Sequence, residues 1–407
     1  MSELATPSVQ TVSKPFGRSL TFVMAAATGV AVANIYYNQP MLGVIQAEFP
    51  GQSATGLIPT ATQIGYAAGL FLLVPLGDMM DRRRLIVGQF ALLAAALVLA
   101  ALAPTGWALV AASLLVGATS TVAQQIIPFA ALLASPERRG QTVGTIMSGL
   151  LCGLLFSRTL AGFVATHAGW REMFWVGSPV AIIAGLTMAI ALPRSHPYVA
   201  MPYSSALRSM IHLWRNEPSL RSATVVQAAL FASFTVFWTI LALHLQEPRF
   251  ALGADIAGLF GIVGAVGICA APLAGRLADQ RGPARVALIG AAITCASWII
   301  FGFWGSVIGL VVGVVILDVG VTSALISNQH IVFGLHPEAR GRLNTIFMTG
   351  MFLGGSVGSA GATFFWSQGG WGAVSIFGAG LAVVAAVLQG FSHRRTINSD
   401  LGGRSSA

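Results

Sequence analysis

Val74 to Arg84 reads VPLGDMMDRRR, two aspartates and three arginines between two long apolar runs. Charge this dense is excluded from the hydrocarbon of a bilayer, so the stretch marks a turn on one membrane face. The pattern returns as GRLADQRGPAR at Gly275 to Arg285. Asp78 and Asp279 are 201 residues apart, and other landmarks keep the same offset. Arg84 falls on Arg285, Pro136 and Glu137 on Pro337 and Glu338, and Arg139 and Gly140 on Arg340 and Gly341. Gly149, Gly153, Gly169 and Trp170 fall on Gly350, Gly354, Gly370 and Trp371. One constant offset over so long a stretch is a duplication, so the chain is two similar halves.

Composition fixes the class. Of 407 residues 55% are hydrophobic and only 9% charged, with a mean hydropathy of +0.78. A soluble domain carries about a quarter charged residues. The apolar runs reach the roughly 20 residues that cross a bilayer as a helix. The period-2 alternation of a barrel is absent, which leaves an all-α membrane protein. The 47 glycines suit close helix packing. Cys152, Cys269 and Cys295 sit singly in apolar runs, which argues against a disulfide framework or a metal site. The net charge of +9 invites a nucleic-acid reading, but the placement of the arginines along the chain defeats it.

Twelve spans follow, near 19–47, 55–77, 85–103, 107–134, 142–168 and 170–193, then 220–246, 254–278, 286–304, 306–333, 343–367 and 370–391. They divide the chain into a first six-helix bundle over 1–193 with a tail at 1–17, and a central loop at 194–219. A second bundle fills 220–407, with a tail at 392–407. The first span is too long for a signal peptide and lacks a small-residue cleavage pattern, so it is expected to stay. Lys14, Arg18, Arg82, Arg83, Arg84, Arg138, Arg139, Arg194, Arg208, Arg215, Arg221, Arg276, Arg281, Arg285, Arg340, Arg342, Arg394, Arg395 and Arg404 all fall on one face if there are twelve spans. Arg171 and Arg249 fall on the other, and Arg158 lies within a span. The positive-inside rule makes the first face, with both termini, cytoplasmic. In the loop, Leu207, Met210, Ile211 and Trp214 recur at helical spacing, with Arg208, His212 and Arg215 on another side. This predicts a helix lying on the membrane surface, or a plain tether between halves.

Twelve spans, two halves and a Gly/Asp/Arg turn after spans two and eight resemble the major facilitator superfamily, whose turn runs Gly-x-Leu-Ala-Asp-x-x-Gly-Arg-Arg. Gly275, Leu277, Ala278, Asp279 and Gly282 match it, as do Leu76, Gly77, Asp78, Arg82 and Arg83, while Val74 and Asp81 depart from the glycines. The resemblance implies two pseudo-symmetric six-helix bundles. It also implies that Asp78 locks the cytoplasmic sides of the halves together, accepting bonds at a helix N-terminus. Asp279 is its echo, and Arg82, Arg83, Gly282 and Arg340 belong to the same gate. The alternative is that the arginines serve topology alone.

The drug–proton antiporter branch of that family carries Gly-Pro-x-x-Gly-Gly in span five, then Gly-Trp-Arg. Here the stretch reads Ser157-Arg158-Thr159-Leu160-Ala161-Gly162, then Gly169-Trp170-Arg171. The frame is kept and the proline is Arg158. The branch's span-four arginine position is Ser113, so the intramembrane cation is moved to span five. Asp318 in span ten is the one carboxylate deep in a span. A carboxylate whose surroundings alternate between cavity and cation suits carrying a proton. Asp318 and Arg158 are therefore the proton-coupling candidates, with a structural charge pair as the alternative.

Span one reads Ala33-Asn-Ile-Tyr-Tyr-Asn-Gln-Pro40, a wording that resembles a bacterial subgroup of efflux carriers. Asn34, Tyr37, Asn38 and Met41 would share one face of an uninterrupted helix, and Pro40 breaks its ladder. In the family, spans one, four, seven and ten line the cavity. Asn34, Tyr37, Asn38, Gln124, Gln227, Trp238 and Asn328 are thus cavity candidates, with helix glue as the alternative for each. His244 and His330 near span ends read as solvated. Gln125 and Gln329 are further polar residues on spans four and ten.

Enzyme readings fail: no Gly-x-x-x-x-Gly-Lys loop, metal-ligand cluster or nucleophile–base arrangement stands out, and no cofactor is expected. The sequence predicts a monomeric secondary transporter of a bacterial inner membrane, moving a small molecule with protons as partner. Proton-coupled efflux of drug-like or metabolite substrates is the first reading. A symporter importing a small polar metabolite and a transport-inactive sensor or scaffold are the alternatives.

Overall fold

The computed structural model describes residues 17–195 and 202–404. Lys14 and the side chains of Cys269, Arg394, Arg395 and Arg404 lie outside the described residues. Helices and short connections make up all of the rest, with no strand among the described residues. Only helices let such apolar runs satisfy their own backbone in lipid.

Span one is Arg18–Ala33 continued by Asn38–Glu48, and span two is Ile58–Leu72 between the turns Ser53–Leu57 and Val74–Asp78. Span three is Arg82–Ala101, and span four is Gly106–Ser120 followed by Val122–Leu133. Spans five and six are Arg139–His167 and Trp170–Ala191. A linker helix, Tyr203–Asn216, leads to span seven, Pro218–Leu245. Spans eight, nine and ten are Ala254–Arg281, Pro283–Phe303 and Val307–Leu335. Spans eleven and twelve form one helical run, Arg340–Arg404, broken at Gly369 and Gly370. Ten helical runs among the described residues are long and apolar enough to cross a bilayer. The last of these holds two spans, and span eight adds a shorter apolar stretch at Ala254–Gly264, giving twelve.

The duplication repeats in the packing. Gly149 and Gly153 of span five lie against Ala25 and Gly29 of span one, and Gly350 and Gly354 of span eleven lie against Thr224 and Ala228 of span seven. Small residues permit this approach of backbones. Arg139 Nε donates to the Ala131 carbonyl at 2.8 Å, and its counterpart Arg340 donates to the Phe333 carbonyl at 3.1 Å. Gly169 and Gly370 both take a positive φ, +117° and +57°, ahead of Trp170 and Trp371. Away from these seams the bundles present apolar side chains outward, Ile190 and Phe303 being 85% and 89% exposed. Lipid tails, not water, are the natural neighbour of such a surface.

The halves meet on the face opposite the arginine-rich turns. Thr159 Oγ1 donates to the Gly258 carbonyl at 3.1 Å, the Asp255 N–H donates to Thr166 Oγ1 at 3.1 Å, and Thr363 Oγ1 donates to the Gly56 carbonyl at 3.0 Å. On the arginine-rich face the two charged turns stay apart. Asp78 and Asp279 are 65% and 71% exposed, and each pairs inside its own half.

The linker helix differs from the expected surface helix. Leu207, Met210, Leu213 and Trp214 join one buried cluster with Leu220, Val332, Leu343 and Phe347, while Ile211 is exposed. The ends of spans seven, ten and eleven give its apolar side a protein partner. Tyr203 Oη donates to the Leu72 carbonyl at 2.8 Å, so the helix also reaches the first half.

Candidate functional site

Arg158 on span five is 2% exposed. Its guanidinium carbon lies 3.9 Å from the Trp238 ring centroid and 4.6 Å from that of Tyr36. Two ring faces and a cation attract by about 0.5–2 kcal/mol each when desolvated. Arg158 Nε donates to Gln39 Oε1 at 2.9 Å, while Nη2 is buried with no hydrogen-bond partner. Asp318 on span ten is 7% exposed, and its Oδ1 also lacks a partner. Trp238 Nε1 closes no hydrogen bond of normal geometry, although the indole and the carboxylate are close enough to interact.

The direct ion pair considered from the sequence is not formed: no ion pair within 4.0 Å joins Arg158 to Asp318. The two charges do act on each other. The arginine fork is taken up by the aromatic clamp and by Gln39, and the Trp238 indole touches both neighbourhoods. Span eight supplies the space. A Cβ at Gly261 would lie 3.0 Å from Arg158 Cβ, one at Gly264 would lie 3.2 Å from Trp238 Cζ2, and one at Gly267 would lie 2.9 Å from the Asp318 carbonyl carbon. These glycines, one turn apart, clear the way for both charges.

An aromatic run crosses between the halves beside this pair. Tyr66 and Phe352 lie 4.3 Å apart between centroids, Phe352 and Phe231 5.2 Å, Phe231 and Phe234 5.5 Å, and Phe234 and Trp238 6.0 Å. Gln63 of span two sits against it beside Gly355, its Oε1 buried and unpartnered. Asn38 Nδ2 donates to Thr62 Oγ1 at 2.7 Å and leaves Oδ1 unpartnered. Gln124 Nε2 donates to Tyr66 Oη at 3.3 Å. Asn328 Nδ2 donates to Gln227 Oε1 at 3.2 Å, leaving Asn328 Oδ1 and Gln227 Nε2 free. Ten residues separate Asn328 from Asp318, so this pair lies about 15 Å nearer the arginine-rich face.

Other candidates sit elsewhere. Asn34 donates to the Val30 carbonyl at 2.7 Å, and with Tyr37 it lies against Gly177 of span six, inside the first bundle. Asn34 and Tyr37 keep a shared face, and Asn38 does not join it but turns to Thr62 of span two. Residues 34–37 are a tightened turn whose N–H groups bond three residues back, Ile35 to Val32 and Tyr36 to Ala33. Such a turn advances about 120° per residue instead of 100°, which keeps Tyr37 over Asn34 and turns Asn38 to another side. Pro40 explains it, since its ring clashes with the carbonyl four residues back. Gln125 Nε2 donates to the Leu73 carbonyl at 2.7 Å and ties down the broken end of span two.

His244 is not solvated: it is buried, stacked on Trp371 at 4.0 Å, with Nδ1 3.4 Å from Glu247. Glu48 is held by Trp170 Nε1 at 2.5 Å and by Arg171. In the first charged turn Asp78 meets Arg82 Nη2 at 2.7 Å, and Arg82 Nε donates to the Gly77 carbonyl at 2.8 Å. Asp81, the departure from the expected glycine, caps span three by accepting from the Arg83 N–H at 3.0 Å and the Ser195 N–H at 3.2 Å. The Arg83 side chain makes no ion pair among the described residues. Asp279 lies 3.6 Å from His330 Nδ1, and Gly282 ends span eight at φ +85°. Sequence reasoning missed Tyr36, Gln39 and Gln63. A buried arginine demands neutral acceptors and ring faces, but these lie on other spans, far along the chain.

The chain was compared with known proteins. It is 39% identical over 384 residues to "Uncharacterized transporter YgaY" of Escherichia coli O157:H7, covering 93% of this chain and 98% of that one. It is 32% identical over 371 residues to "Probable transporter SCO4007" of Streptomyces coelicolor, covering 90% and 86%. A bacterial homolog of the human lysosomal transporter Spinster, solved in an inward-facing and occupied conformation, superposes with a TM-score of 0.76. That likeness covers 94% of this chain and 98% of that one at 14% identity, so it speaks for the fold alone. The family model described as Major Facilitator Superfamily matches residues 24–338 and 223–396. With these relatives and twelve spans in two halves, the chain belongs to the Major Facilitator Superfamily and is a multi-pass membrane transporter.

Proposed function

We propose that this transporter couples proton movement to the passage of a small organic molecule by alternating access, with Asp318 carrying the proton. The observation that supports this is a buried carboxylate with an unpartnered oxygen, set within reach of a buried guanidinium without an ion pair to it. A satisfied structural pair would be closed by hydrogen bonds. The bundles 1–193 and 220–407 would rock as two bodies about this level, joined by 194–219, with both termini on the cytoplasmic face of a bacterial inner membrane and the protein acting as a monomer. Asn38, Gln63, Gln124, Gln227, Trp238 and Asn328 would line the passage. Asp78 with Arg82 and Arg83, and Asp279 with Gly282 and Arg340, would close it when the opposite face opens.

The span-five frame of Gly162 and Gly169-Trp170-Arg171 supports export by antiport. Symport is the second reading, favoured by the free Nη2 of Arg158. Substrate-driven pH change in proteoliposomes separates them by sign. Asp318→Asn should uncouple substrate flux from pH in either case. Wild-type flux and pH dependence in that variant would remove Asp318 from the role.

A further inference from the structure

We infer that the substrate presents an anionic group, a carboxylate or another small oxyanion, to the free edge of Arg158. The inference rests on the second reading above, symport, for its direction, but the anion site stands on its own geometry. Arg158 is buried, its Nε is committed to Gln39, and its guanidinium carbon lies over the rings of Tyr36 and Trp238. Of the two terminal nitrogens, Nη2 is buried with no hydrogen-bond partner among the described residues. An unpaired donor on a buried charge is a standing cost that a bound acceptor removes. A guanidinium held by one hydrogen bond and two rings is pre-organised for an oxyanion, and a lysine would lack its fork. The free oxygens of Gln63 and Asn38 and the run from Tyr66 to Trp238 suit a body with a hydrogen-bond donor and an apolar or aromatic part.

Charge balance then fixes how proton and anion combine. With Asp318 ionised, the Arg158–Asp318 site is neutral. A proton alone leaves one positive charge, and an anion alone leaves one negative charge. Both together restore neutrality, and a net charge is costly in a water-poor site. The other groups around the pair are the Tyr36 hydroxyl and Trp238 indole, with Gly261, Gly264 and Gly267 on span eight. None of these supplies a compensating charge. The empty and doubly loaded forms are therefore the two that reorient, so the proton and the anion travel together.

The test uses the purified full-length protein in detergent with benzoate, phenylacetate, methanesulfonate and inorganic phosphate as probes. Benzamide and benzylamine serve as neutral and cationic counterparts of benzoate. Thermal shift and calorimetry are read between about pH 6 and 9.5, where carboxylates in water stay ionised. At least one anion should bind, about tenfold more tightly per unit of acidification while Asp318 is ionised in the empty protein, with proton uptake. Arg158→Gln should lose at least tenfold in affinity, and Arg158→Lys should recover only part. Asp318→Asn should bind the anion at every pH with no proton uptake, which shows that the variant folds. The inference is overturned if no probe anion binds. It also falls if benzamide or benzylamine binds as well as benzoate, or if Arg158→Gln binds like wild type. Should a non-anionic compound move protons through Asp318, the coupling stands and the anion site falls. Should an anion bind through Arg158 without a proton, the anion site stands and the role of Asp318 falls.

Discussion

Gly258→Ala should shift the balance between the two faces of the transporter. Gly258 lies on span eight against span five, where the two halves touch. A Cβ there would sit 2.6 Å from the Arg158 carbonyl oxygen and 3.1 Å from Thr159 Cα, both backbone atoms that cannot rotate away. Ordinary contact is about 3.5 Å, so the spans must part by nearly 1 Å. Overpacking of this kind costs about 1–3 kcal/mol. The helix-propensity gain of alanine over glycine is common to both arrangements and cancels. The strain exists only while the halves meet at this face, so opening relieves it, and the open population should rise by roughly 5- to 150-fold.

Gly153→Ala is the matched control. Its Cβ would meet Gly29 Cα at 2.6 Å, but both residues belong to the first bundle, so the strain persists in every arrangement. That variant should lower the melting temperature without moving the equilibrium. Pulsed EPR distances between labels at Gln52 and Ser367, in a cysteine-free background, report the separation of the halves at this face. If the distance distribution of Gly258→Ala matches wild type, or if Gly153→Ala moves it equally, this contact does not set the conformational balance.

Three further changes test the arginine-rich face. Asp78→Asn loses an exposed pair worth no more than about 1 kcal/mol, and Arg82 Nε keeps its bond to Gly77. Insertion should be normal and turnover reduced, and an unchanged turnover would leave these charges a purely topological role. Asp81→Ala removes the cap of span three and the tie to Ser195, which should cost about 1 kcal/mol and lower the melting temperature by a few degrees. His336 Nε2 lies 2.8 Å from Glu217, whose carboxylate raises the histidine above its ordinary 6.5. A raised pKa makes this contact complete below the unfolded value and lost as pH rises through the folded one. Hydrogen exchange at the end of the linker helix should quicken over that window in wild type and lose most of its pH dependence in Glu217→Gln, where Glu338, 3.5 Å from His336 Nδ1, alone remains beside the histidine.

The parts legible in the sequence are those where local chemistry leaves one choice. A charged turn cannot enter lipid, so Asp78 and Asp279 located the duplication, and Gly149 and Gly153 kept their offset because a backbone contact admits no side chain. Asp81 before three arginines was equally legible as a helix cap, yet the matched motif drew attention to the missing glycine. The face of span one was not legible, since it depends on how far a turn tightens ahead of Pro40. His244 was misplaced for a different reason. Its position near a span end is local, but its burial is set by Trp366 and Trp371, more than a hundred residues away.

Arg158 shows where such reading stops and why. An arginine in place of the proline of span five, with Ser113 where the resembling branch has its cation, is a departure that the sequence displays openly. Its consequences are distributed over three other spans. Gln39 takes Nε, the rings of Tyr36 and Trp238 lie under the guanidinium carbon, and Gly261, Gly264 and Gly267 leave the room. Each of these residues alone is unremarkable, an amide before a proline, two aromatics and three glycines in an apolar helix. Together they hold a charge that would otherwise be costly to bury, and they stop short of satisfying it. Had the fold needed only to tolerate this arginine, an ion pair with Asp318 would have closed the site. Instead Nη2 and Asp318 Oδ1 are each left open. That pattern fits a site completed by what the protein carries, not by the protein itself.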